Sequence, residues 1–217
     1  MAKKRRNRGP RRAVVQAAPR AGGGLALEVN GIVQSVTVGD RGPEDAGYWG
    51  LMIPPERPRR ALLLGLGGGT VAALLAKVYP GCEIVGVERE ASVLATARAD
   101  LALDEIPGLR VIEADAFAWV GEHARSEPGT YDYIALDLYE GGRLVAGTLG
   151  TLFLREIAAL LTPHGTLAVN LTMSMRLQER TQRLESVFAL TETRRLWGNV
   201  VLLLRQRDES APQSAGE

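Results

Sequence analysis

The 217-residue sequence contains a single cysteine, Cys82, and only two histidines. One cysteine excludes an internal disulfide, and so few soft ligands argue against a zinc cluster. No metal site is therefore expected, and a reducing cytoplasm is the expected compartment. An excess of charge is also missing. The 26 Lys and Arg residues against 25 Asp and Glu leave a net +1, so the molecule as a whole is not built for nucleic acid or membrane. Long apolar runs are absent, and none approaches the length that spans a bilayer. The basic "MAKKRRNRGPRR" is followed by "AVVQAAPRAGGG", too short and broken for the apolar core of a signal peptide, so no export signal is read. The remaining composition, 46% hydrophobic and 24% charged, is that of an ordinary soluble chain with core enough for one sizeable domain.

Composition divides the chain. Residues 1–24 hold Arg, Lys, Pro, Gly and Ala with little to bury, and predict a disordered tail. Its cluster Lys3, Lys4, Arg5, Arg6, Arg8, Arg11 and Arg12 reads as a solvated terminus, with weak contact to RNA or acidic lipid as the alternative. Residues 208–217 predict a second disordered tail. Residues 25–57 form a β-hairpin and lead-in, the hairpin turning at Asn30-Gly31, a pair suited to the positive φ angles of a type I′ turn. Residues 58–207 form the main domain.

Within that domain apolar strands near 61–65, 83–88, 109–114, 131–137 and 165–171 alternate with helical patterns near 70–79, 90–101, 115–124, 149–161 and 176–189. This alternation predicts an α/β fold with a mostly parallel sheet covered on both faces. The rhythm breaks over 193–206, where two strands around Gly198-Asn199 predict an antiparallel edge hairpin, for seven strands in all.

The segment "LLLGLGGGT" places a glycine-rich turn after the first of these strands. Gly65 and Gly67 match the first two positions of the dinucleotide fingerprint, but the third falls on Thr70. The pattern is instead Gly65-x-Gly67-x-Gly69, with Gly68 between, a turn suited to a cofactor whose amino-acid portion lies across the backbone. The next strand ends at Glu88, where a carboxylate can accept both hydroxyls of a ribose. The third is followed by Asp115 and Ala116. Asp115 can take an adenine amino group while the Ala116 N–H meets a ring nitrogen, or Asp115 can simply cap a helix. Together the three strand tips describe an adenosine with an amino-acid tail, as in S-adenosylmethionine.

The fourth strand, "YDYIALDLYEGG", carries Asp137 at its tip and Glu140 three residues on. Attack on a sulfonium carbon needs an aimed, deprotonated nucleophile, and a carboxylate at the tip can supply both conditions. A turn-capping role for Asp137 is the alternative.

Residues 25–172 resemble the spermidine synthase (polyamine aminopropyltransferase) branch of the class I methyltransferase fold. The resemblance rests on the hairpin "LEVNGIVQS" with Gln34, on Tyr48 in "YWGLM", on the glycine turn, and on "GVERE", "EADA" and "YDYIALDLYE". It implies a Rossmann-like domain, S-adenosylmethionine or its decarboxylated form as cofactor, catalytic Asp137 and Glu140, and substrate contacts from Gln34, Tyr48 and Trp197. Three departures stand out. The family's turn aspartate, which faces the aminopropyl amine, is Gly68 here; the second catalytic acid is the longer Glu140; and the late tyrosine loop is cut to "LWGN".

An acid at position 68 would repel the carboxylate of S-adenosylmethionine, so its absence points to methyl rather than aminopropyl transfer. Aminopropyl transfer is the runner-up, followed by a non-catalytic nucleoside- or partner-binding protein and, distantly, by a nicotinamide dehydrogenase. A small-molecule acceptor is expected, with no membrane partner, and the sequence leaves room for a homodimer.

Overall fold

Asn30 and Gly31 both adopt positive φ, 53° and 78°, and turn the chain between β2 (Leu25–Val29) and β3 (Ile32–Val36) as the Asn-Gly pair predicts. The computed structural model describes residues 13–21, 23–40 and 42–207. The basic cluster at 3–12 and the tail at 208–217 lie outside the described residues. One expectation for 1–24 is corrected: β1 (Val15–Pro19) pairs antiparallel with β2. It was missed because "VQAAP" has no apolar alternation of its own. Its order comes from the edge of β2 and from the Asn30 Oδ1 that accepts the Val14 N–H at 3.0 Å.

A short helix α1 (Tyr48–Leu51) leads into the main domain. There β4 (Arg60–Leu64), α2 (Thr70–Val78), β5 (Glu83–Glu88), α3 (Ala91–Asp100), β6 (Leu109–Glu113), α4 (Ala116–Ser126) and β7 (Tyr131–Leu136) alternate. A two-rung ribbon of β8 (Tyr139–Glu140) and β9 (Arg143–Leu144) follows. The described residues end with α5 (Thr151–Leu160), β10 (Leu161–Thr172), α6 (Leu177–Glu185), β11 (Phe188–Leu196) and β12 (Asn199–Gln206).

The seven-stranded sheet has the order β11-β12-β10-β7-β4-β5-β6. Its last five strands pair in parallel, while β12 and β11 are antiparallel additions at one edge. The predicted class is therefore the observed one. Period-two alternation decides which core each residue enters. Ala61 and Leu63 of β4 join Leu74, Leu75, Leu94 and the small sheet on one face. Leu62 and Leu64 join Val120, Phe153, Ile157 and Leu184 on the other. With both faces covered, the strands read as continuous apolar runs.

The edge hairpin starts earlier than expected, at Phe188, and its turn is Trp197-Gly198 rather than Gly198-Asn199, because Leu196 pairs with Asn199. Trp197 takes the left-handed conformation, φ 48°, and Asn199 belongs to the strand. No described helix is long and apolar enough to cross a membrane.

Candidate active site

All five backbone N–H groups from Gly65 to Gly69 are bonded within the protein. Gly65 and Leu66 donate to the Val87 carbonyl, and Gly69 to that of Leu66, at 3.0–3.1 Å. Gly67 donates to Glu88 Oε2 at 2.9 Å, and Gly68 to Ser35 Oγ at 2.6 Å. No N–H group of the turn is therefore left without a partner. A Cβ on Gly65 would lie 2.3 Å from the Asp137 carbonyl oxygen, so glycine is what lets the tips of β4 and β7 approach.

The four glycines divide between two grooves. Gly65 and Gly67 line a crevice at the carboxyl ends of the parallel strands, with Gln34, Glu88, Asp115, Ala116 and Asp137. Gly68 and Gly69 border a separate groove with Val36, Ala73 and Leu101. A Cβ on Gly68 would meet Ser35 Cβ at 2.8 Å and Leu101 Cδ2 at 3.0 Å. Position 68 therefore faces the small sheet, because β3 packs Ser35 directly onto the turn. The reading of Gly68 as a retuned cofactor contact is corrected on that ground.

Glu88 sits where the tip of β5 predicts, but most of its acceptor capacity is used. Its Oε1 accepts from the N–H groups of Arg89 and Glu90 at 2.9 and 3.0 Å, and its Oε2 from Gly67. Three of the roughly four acceptor sites of a carboxylate are filled, leaving room for one ribose hydroxyl rather than two. Asp115 caps α4 through Oδ1, which accepts from Phe117 and Ala118 at 3.0 and 3.1 Å. Its Oδ2 has no partner among the described residues and the side chain also lines the crevice. Capping and ligand contact are thus compatible.

Asp137 is the focus of the polar network. Tyr48 Oη donates to its Oδ2 at 3.0 Å, and Asn170 Nδ2 donates to its Oδ1 at 2.9 Å. Burial pushes this carboxyl up to about 6, against the lowering effect of those two bonds. Burial, and secondarily the nearby Asp137, pushes the Tyr48 phenol well above its ordinary value.

Glu140 does not join Asp137. It is exposed and pairs with Arg89 at 3.1 Å, while Arg89 also reaches Glu90 at 3.2 Å. Trp197 is 91% exposed on its turn and does not line the crevice. Sequence reasoning missed Ser35, Arg89, Asn170 and Asn199. Only Asn170 left a signal, a lone amide in the apolar run "LAVNLT".

No family model matches the chain. It is 31% identical over 144 residues to a probable polyamine aminopropyl transferase of Bifidobacterium longum, covering 65% of this chain and 31% of that protein. It is equally identical over 130 residues to a polyamine aminopropyltransferase of Vibrio vulnificus, covering 60% and 43%. A probable spermidine synthase structure from Corynebacterium glutamicum superposes with a TM-score of 0.72 at 19% identity, over 94% of this chain and 80% of that one. The chain is thus similar in sequence to polyamine aminopropyltransferases and shares the fold of a spermidine synthase structure.

Spermidine synthase-like chains share this fold with methyltransferases, and both appear among the relatives. Human methyltransferase-like protein 13, in complex with SAH, superposes with a TM-score of 0.63 at 25% identity over 80% of each chain. Trans-aconitate 2-methyltransferase of Methylobacterium radiotolerans is 33% identical over 132 residues, covering 61% of this chain and 44% of that protein. The chain spans less than half the length of these three curated relatives.

Proposed function

We propose that the crevice binds S-adenosylmethionine and that the protein transfers its methyl group to a small amine-type acceptor. The observation that carries this reading is the half-buried Asp137 carboxylate, held by two donors in the crevice that Gly65 and Gly67 also line. The donor set suits an adenosine. Glu88 has one acceptor site left for a ribose hydroxyl, Asp115 Oδ2 is free for an amino group, and Leu66, Val87 and Phe117 supply apolar lining.

When bound, S-adenosylmethionine supplies an electrophilic methyl on a sulfonium. Asp137 then has two tasks. It would orient the acceptor by accepting its N–H, and take the proton that the amine loses as the new N–C bond replaces the methyl–sulfur bond, whose electron pair stays on the departing thioether. A carboxyl near 6 is ionised at neutral pH yet more basic than an ordinary aspartate. Tyr48 and Asn170 hold it in one orientation. Arg89 and Glu140 are assigned to the mouth of the crevice rather than to bond-making.

Aminopropyl transfer from decarboxylated S-adenosylmethionine is the second reading, favoured by the names of the two relatives at 31% identity. Calorimetric titration with S-adenosylmethionine, its decarboxylated form, methylthioadenosine and NAD ranks the ligands. Mass spectrometry of amines incubated with each donor identifies the group moved. Methylated amine supports the first reading, and spermidine formed from putrescine overturns it in favour of the second. Tight nucleoside binding without turnover would leave a non-catalytic binding protein.

A further inference from the structure

An amide side chain has two unlike ends, and its neighbours decide which end faces which group. Asn170 is 2% exposed, in the apolar strand β10. Its Nδ2 end meets Asp137, while its Oδ1 accepts from Asn199 Nδ2 at 3.0 Å. Register makes this contact possible. Asn170 is paired with Val201, and Asn199 lies two residues earlier on β12, so both side chains leave the same face of the sheet. Asn199 thereby occupies the one end of the Asn170 amide that would otherwise be free to turn toward the carboxylate.

We propose that Asn199 is a positioning residue for the transfer reaction: by donating to Asn170 it keeps the NH₂ end of that amide on Asp137. This rests on the assignment of Asp137 as the acceptor-orienting base. A donor on Oδ1 favours the ionised carboxylate and fixes which lone pairs are left for the acceptor. Were the Asn170 amide reversed, its oxygen would face Asp137 and the same contact would become repulsive. A purely structural asparagine pair would satisfy β10 equally well in either orientation, so the orientation has a consequence only through Asp137.

Other titratable groups near Asp137 are few. Tyr48 approaches from α1, Tyr133 from its own strand and Tyr139 from just beyond it. All three phenols are raised, chiefly by burial, and stay neutral while a carboxylate titrates. Glu88, Arg89 and Asp115 share the crevice.

The test is the Asp137 titration, read by carboxyl-carbon NMR on the full chain, with Asp137→Asn to assign the resonance. Asn199→Asp replaces a donor with an acceptor, and is expected to raise the Asp137 midpoint by a full pH unit or more, a tenfold change in proton affinity. Asn199→Ala, which adds no charge, is expected to raise it by less, and Asn170→Leu, which removes the donor itself, by at least as much as Asn199→Ala. The acid limb of the pH–rate profile should move with the midpoint while nucleoside affinity stays fixed. A midpoint unchanged in Asn199→Ala and Asn170→Leu overturns the proposal. If no acceptor turns over, the assignment of Asp137 as base fails by itself, and the NMR midpoints still decide whether Asn199 orients the relay.

Discussion

Thr70 Oγ1 accepts the Val36 N–H at 2.7 Å and donates to the Val36 carbonyl at 2.8 Å. The third fingerprint position is thus occupied by a residue that bolts the small sheet onto the first turn of α2. Thr70 is 2% exposed, so its partners have no water to fall back on. Thr70→Val keeps the shape and strands two buried backbone groups, which should cost about 2–4 kcal/mol in denaturant unfolding. A loss within the scatter of surface substitutions would show that the link contributes little.

Asp137 gives stability a pH dependence of definite sign. Its folded carboxyl lies at about 6 against an ordinary 3.8, so the folded state holds the proton more tightly than the unfolded one. Below pH 4 both states are protonated and there is no penalty. As pH rises through 4 to 6 the folded state loses up to about 3 kcal/mol, and the loss then stays constant. Asp137→Asn removes this slope. Relative to wild type the variant should melt higher at pH 8 than at pH 4, while turnover is abolished and nucleoside affinity retained. Equal melting shifts at both pH values would refute the burial of the charge.

Glu88 bonds the backbone on three sides and has one acceptor site left. Glu88→Gln keeps an acceptor oxygen but loses the charge, and is expected to weaken methylthioadenosine binding about tenfold or more by calorimetry, the scale of a charge-assisted hydrogen bond. Circular dichroism would establish that the fold is intact. Unchanged affinity would remove Glu88 from the ribose site.

Gly68 and Ser35 test the orientation of the glycine turn. Gly68→Ala drives a methyl against Ser35 Cβ at 2.8 Å, and should cost about 1–3 kcal/mol as an overpacked site. Ser35→Gly makes space while losing its own bond to Gly68 N–H, so the double variant should be more stable than the sum of the two single losses. Gly68→Asp should destabilise the turn without changing the order in which S-adenosylmethionine and its decarboxylated form bind. Strict additivity, or a reversed order of binding, would place position 68 back in the crevice.

What sequence can disclose follows from the range of the interactions. The alternation of strands and helices, the Asn30-Gly31 turn and the acids at three strand tips are local patterns, and they stand where they were read. Which way Gly68 faces depends on Ser35, 33 residues away in the chain, and no spacing rule encodes that contact. The same holds for Asn170, whose two partners lie 33 and 29 residues off. Asn199 was read as a turn residue because Gly198 precedes it, whereas strand register places the turn one residue earlier. Glu140 was grouped with Asp137 by proximity in sequence, but Arg89 holds it elsewhere.

Arg194 on β11 donates to the carbonyls of Leu51 and Ile53 at 2.9 and 2.7 Å, beside the helix that presents Tyr48, while Asn199 on β12 holds Asn170. The two antiparallel strands therefore brace both donors to Asp137 without touching the carboxylate themselves. Glu88 and Asp115 take their bonds from the glycine turn and from their own strand tips, so the edge hairpin is tied to one part of the crevice and not to the other.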